Sequence, residues 1–231
     1  MDERTKSGFC HDWSKIPDQV DDLDLIKPKS DTVSFRRVKK SYQGLKEFRN
    51  IKRLFAYEVD DNFLRKISCL TGLTYLWAKI VTAEDLTPLI ELDSLEFLIL
   101  QHVRKAKSFS FMTEMPALRH LELEWVKHLS NLEDLKDMKT LLSFGIEGAT
   151  PVSMTQKVES LSPILDWKCL ESLYLTNTRV RDGNLRCLGK IKTLKYLDTA
   201  RFYPKSEFEA LRAVHPNLKC NWCDKYEIEI P

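Results

Sequence analysis

Glycine is scarce in this chain, seven in 231 residues, and none sits in the loop pattern that cradles phosphate. No stretch approaches the roughly 18 uncharged apolar residues of a membrane span. The opening "MDERTKSGFCHDW" has no apolar core of a secretory signal, so a cytoplasmic protein is the expectation. Gly-x-Ser-x-Gly and His-Glu-x-x-His are both absent. Histidines 11, 102, 120, 128 and 215 lack metal-ligand spacing. A net charge of +2 does not by itself call for a polyanionic partner. These absences favour a protein that is not an enzyme and needs no cofactor and no metal.

The six cysteines do not read as a disulfide framework. Cys69, Cys169 and Cys187 lie in apolar segments such as "KISCL" and "NLRCL", where a reduced thiol packs as a small hydrophobe. Cys220 and Cys223 in "HPNLKCNWCD", with His215 nearby, have metal-like spacing but no second Cys-x-x-Cys. They are expected to fill apolar slots of a terminal coil.

What the chain has is a repeat. The strings "IKRLFAYEV", "LTYLWAKIV", "LEFLILQHV", "LRHLELEWV", "LLSFGIEGA", "LESLYLTNT" and "LKYLDTARF" share one template, apolar-x-x-apolar-x-apolar-x-x-small or apolar, with Thr199 the polar exception at the third slot. Weaker copies flank them. The second apolar slot falls at Val33, Leu54, Leu76, Leu98, Leu121, Phe144, Leu173, Leu197 and Asn221, at intervals of 21, 22, 22, 23, 23, 29, 24 and 24 residues. A unit of four or five strand residues plus a return segment comes back about one strand spacing on, roughly 4.8 Å. Leu64, Ile67 and Leu70, or Leu129, Leu132, Leu135 and Met138, space the return segments like helices. Ser130 with Glu133 offers a capping box.

This template and period resemble leucine-rich repeats, whose units run about 20–29 residues. The resemblance covers residues 30 to 226, and "LYLTNTRVRDGNLRCLGKIKTLKYLDT" looks most like the short bacterial type. It implies an α/β fold: a right-handed solenoid, or horseshoe, with a parallel concave sheet and helices or turns on the convex side. The divisions expected are an amino-terminal segment and cap over 1–29, the solenoid over 30–217, and a carboxy-terminal cap coil and edge strand over 218–231. "DLDLI" is expected to pair near "TVSFRRV", and "KYEIEI" to form an exposed edge. Many family members place Asn at the ninth slot. Here it holds Val59, Val81, Val103, Val126, Ala149, Thr178 and Phe202, so apolar packing must fill that turn. The 29-residue interval carries extra chain near 148–160, either a contact loop or a bulge.

Alternation sends three columns outward across the concave sheet. Arg53, Tyr75, Phe97, His120 and Tyr196 belong to the first; Phe55, Trp77, Ile99, Glu122 and Tyr174 to the middle; Tyr57, Lys79, Gln101, Glu124 and Glu147 to the third. With Trp125 at the edge, these sixteen are the candidate partner-binding residues. Their aromatic block would form a patch of several hundred Å², about the limit for a solitary soluble protein. Aromatic anchors beside charges of both signs suit a protein partner, in an adaptor, effector or immunity-type role. Other readings stay open: glycan stacking on Tyr57, Tyr75 and Trp77; nucleic acid on the basic coils "RRVKK" and "KEFRNIKR"; a homodimer; or cover by the amino-terminal segment, with Phe9 and Trp13 as candidates.

Overall fold

A computed structural model describes residues 16–149 and 154–223. In chain order the strands are β1 (Gln19–Val20), β2 (Thr32–Arg36), β3 (Arg53–Val59), β4 (Tyr75–Val81), β5 (Phe97–Val103), β6 (His120–Val126), β7 (Ser143–Glu147), β8 (Gln156–Val158), β9 (Ser172–Leu175), β10 (Thr178–Val180), β11 (Tyr196–Thr199) and β12 (Lys219–Cys220). Ten of them form one parallel sheet, in the order β1-β2-β3-β4-β5-β6-β7-β9-β11-β12. Each strand lies beside its predecessor in sequence, so the chain winds as a solenoid with one long core between the sheet and the return segments.

The register follows the apolar anchors. Val33 pairs with Leu54, and Leu54 with Leu76, then Leu98, Leu121, Phe144, Leu173 and Leu197 in turn. The last coil departs by one residue: Leu197 faces Cys220, not Asn221. Asn221 instead caps the terminal layer, its Nδ2 donating to Asp198 Oδ1 at 2.7 Å and to the Thr199 carbonyl at 2.9 Å.

Strict alternation fails at one slot in the coils of β3 to β6. Glu58, Ile80, His102 and Trp125 have φ of 62°, 57°, 57° and 49°, the left-handed region. That conformation costs an L-residue about 1–2 kcal/mol. It lets the next residue turn back inward, so Val59, Val81, Val103 and Val126 stack in register and are fully buried. This valine column fills the turn without an Asn ladder, and its burial offsets the strained backbone.

The convex side is mostly short 3-10 turns. Among the described residues the α-helices are Asp61–Ile67, where Asp60 accepts from the Phe63 N–H at 2.9 Å, and Lys205–Val214. The spacing explains the split. Leu129, Leu132, Leu135 and Met138 recur every three residues, the 3-10 period, whereas Phe63, Leu64 and Ile67 cover one face of an α-helix. The Ser130–Glu133 capping box does not form. The 3-10 turn there is Glu133–Leu135, and the Asn131 Oδ1 accepts from the Glu133 N–H at 3.1 Å.

Two other expectations change. "DLDLI" is not a strand: Leu23–Leu25 is a 3-10 turn capped by Asp22, and β1, just before it, pairs with β2. Cys69 and Cys169 are exposed rather than packed inside; only Cys220 of the described cysteines is buried. The "KYEIEI" edge lies outside the described residues. The extra chain is built into the fold where it is described. β8 pairs with β10, and the buried Gln156 accepts from the Val126 N–H and donates to the Leu129 carbonyl, both at 2.9 Å. It joins two coils that the longer interval would otherwise leave apart.

Candidate functional site

The strands bring the three columns together as expected. Arg53, Tyr75, Phe97, His120 and Ser143 are successive partners across the sheet, as are Phe55, Trp77, Ile99 and Glu122, and Tyr57, Lys79, Gln101, Glu124 and Glu147. Tyr174 and Tyr196 continue the face on β9 and β11.

The rings form a connected layer. The Arg53 guanidinium lies 4.1 Å from the Tyr75 ring centroid. Phe55 sits 5.4 Å from Tyr75 and edge-on to Trp77 at 5.7 Å. Phe97 stacks on His120 at 4.2 Å, with the planes 7° apart. The Trp77 Nε1–H donates to Gln101 Oε1 at 3.3 Å, and Gln101 Nε2 donates on to Glu124. His120 Nδ1 is 2.6 Å from Ser143 Oγ. Burial, and then the neighbouring Arg119 charge, pull the His120 imidazole down to about 4. Gly145 has a steric reason: a Cβ there would meet Glu122 Cγ at 3.2 Å, so its absence lets the Glu122 side chain lie across the next strand.

Exposure divides the candidates in two, and the expectation of an open aromatic face needs correcting. Phe55, Tyr75, Trp77, Ile99, Gln101, Glu122, Glu147 and Tyr174 are buried. Arg53, Tyr57, Lys79, Phe97, His120, Glu124, Trp125 and Tyr196 are half-buried. Phe55, Tyr75, Trp77, Ile99 and Tyr174 make a second apolar cluster, separate from the core, against which Ile16 packs. Phe9 and Trp13 lie outside the described residues.

Sequence alternation missed what the left-handed backbone adds. At that slot Glu58, Ile80, His102 and Trp125 are half-buried beside the third column, so the coils of β3, β4 and β6 show two successive residues near the strand ends and that of β5 shows His102. His102 meets Trp125 edge-on at 5.2 Å and lies 3.9 Å from Glu124 Oε1. Burial, then Lys79 and Arg104, lower its pKa. No spacing signal marks this slot, because its residues share no chemical type.

At the other end of the chain, the Cys220 thiol is lowered chiefly by its hydrogen bond with Cys223, and His215 Nε2 sits 3.3 Å from the Ile191 carbonyl. Among the described residues no group of three or more His, Cys, Asp or Glu could hold a metal, and no helix is long and apolar enough to cross a membrane.

No protein-family model and no curated protein sequence matches the chain. Solved structures do. An internalin (inlF) from Listeria monocytogenes superposes with a TM-score of 0.62 at 18% identity, over 83% of this chain and 54% of that one. A leucine-rich-repeat protein from Leptospira interrogans gives 0.51 at 16%, over 89% and 58%. The chain is a leucine-rich-repeat solenoid. A second Listeria protein, internalin C2 (inlC2), gives 0.51 at 20% identity, over 74% of this chain and 70% of that one. The solenoid thus spans little more than half the length of the first two, and identities this low establish the fold alone.

Proposed function

We propose that this leucine-rich-repeat solenoid is a non-enzymatic protein-binding module whose partner lies on the concave face, towards the carboxy-terminal ends of β3 to β6. The observation that carries the reading is the half-buried row Tyr57, Glu58, Lys79, Ile80, His102, Glu124 and Trp125, placed side by side on four coils. It mixes aromatic, apolar and both signs of charge, the composition of protein-recognition surfaces. The buried rings beneath serve as a packed base that holds the row in place, which reduces the ordering cost of binding.

Two alternatives have less support. Glycan stacking needs open ring faces, and Tyr75 and Trp77 are 1% and 4% exposed. The basic amino-terminal coils have acidic neighbours: Arg36 pairs with Glu58 and Arg37 with Asp60, each at 3.3 Å.

The test is affinity purification from the native cell with the wild type and with Tyr57→Ala/Lys79→Glu/Trp125→Ala. Proteins held by the wild type and lost from the variant, with the melting temperature unchanged, support the reading. Identical captures from both would overturn it.

A further inference from the structure

The row proposed above leaves unused a basic cleft on the rim. The loops that follow β5 and β6 carry Arg104, Lys105, Lys107, Lys127 and His128, all exposed. With Glu84 and Ser108 they line a cleft of about 600 Å³. The backbone fixes these positions. Arg104 N donates to the Val81 carbonyl at 2.9 Å and Lys127 N to the Val103 carbonyl at 3.0 Å, one coil on. Because Val103 pairs with Val126, Arg104 and Lys127 occupy the same slot on adjacent coils. Like charges at such a spacing, roughly 4.8 Å between strands, destabilise each other. Glu84 is committed to Lys105 at 2.9 Å, and among the described residues no carboxylate is ion-paired with Arg104, Lys107 or Lys127. The positive field reaches inward, since Arg104 helps to lower the His102 pKa.

We propose that this cleft binds a carboxylate-rich segment of a protein, placing its acidic side chains between Arg104 and Lys127 with Lys107 alongside. The proposal does not rest on the concave-face reading, because none of these residues belongs to that row. A protein segment is favoured over nucleic acid by what stands next on the rim. Two coils earlier, Asp60 and Asp61 hold the slots of Arg104 and Lys105, and on the coil between, Glu84 and Asp85 follow Val81 by three and four residues. A nucleic-acid backbone, with about one charge per 1.7 Å of duplex, would run from cations straight into these acids. A short acidic segment confined to two coils would not.

The experiment measures anisotropy of fluorescein-labelled hexaglutamate on the full chain, beside hexaglutamine and an oligothymidylate of matched charge. Saturable hexaglutamate binding that weakens with salt is expected, with hexaglutamine inert. Arg104→Glu/Lys127→Glu should weaken it at least about tenfold. Lys46→Glu/Arg49→Glu, in another surface cleft, should leave it unchanged. Bound peptide should also raise the His102 pKa in an NMR titration, because it offsets Arg104. All four positions are exposed, so melting curves should match the wild type. No saturable binding, or binding indifferent to the Arg104/Lys127 pair, would overturn the proposal. Tighter oligothymidylate binding through the same pair would overturn it in favour of nucleic acid.

Discussion

Trp77→Ala separates a packed concave layer from an open one. Trp77 is 4% exposed, meets Phe55 edge-on at 5.7 Å and donates to Gln101 Oε1 at 3.3 Å. An open ring would be lost at little cost to stability, with its loss appearing in binding instead. A ring this buried belongs with core truncations, and Trp→Ala there costs about 3–5 kcal/mol. That is a large part of the roughly 5–15 kcal/mol that holds a folded chain together. For a chain of this length it corresponds to a fall of roughly 6–20 °C in melting temperature. Trp77→Phe keeps part of the ring contact but loses the N–H and some ring volume, so it should cost less than alanine, about 1–3 kcal/mol. The assay is urea unfolding followed by circular dichroism, with the midpoint and slope fitted separately. A Trp77→Ala midpoint equal to the wild type would refute the reasoning, because the second cluster would then contribute nothing to the fold.

Gln156→Ala should cost about 2–4 kcal/mol, since it leaves the Val126 N–H and the Leu129 carbonyl without their partner; hydrogen exchange at the Val126 amide, expected to quicken, is the check. Ile80→Asn should be neutral or stabilising by up to about 1 kcal/mol, because Asn tolerates the left-handed backbone, whereas Val81→Asn buries an amide and should cost at least about 2 kcal/mol. Equal losses at the two positions would contradict the turn described here. His120 has its folded pKa lowered to about 4, below its ordinary value near 6.5, so between those values the unfolded chain binds more protons and stability falls as pH is lowered; His120→Gln should flatten that fall, and an imidazole titrating near 6.5 by NMR would rule it out. Melting should be indifferent to reductant and to chelator, since a disulfide would contribute about 2–4 kcal/mol and a structural zinc site about 10–16. One equivalent of zinc in the purified protein would make Cys220 and Cys223 ligands.

The amino-acid sequence by itself determined the solenoid. A strand anchor recurring near every 22 residues from Val33 to Leu197 admits few other windings, and the parallel register follows those anchors coil by coil. It also determined which side chains share the concave face, because alternation along a strand is a local rule. Only the tertiary structure decided which of them are open. Phe55 and Tyr57 are read identically from alternation, yet one is buried and the other half-buried, because exposure depends on what packs across the sheet from distant residues such as Ile16. The left-handed slot at Glu58, Ile80, His102 and Trp125 was equally hidden. No propensity places isoleucine or tryptophan there; the conformation is imposed by stacking the valines that follow. The cations of Arg104 and Lys127 stand 23 residues apart in the chain, and only the register of β5 on β6 makes them neighbours.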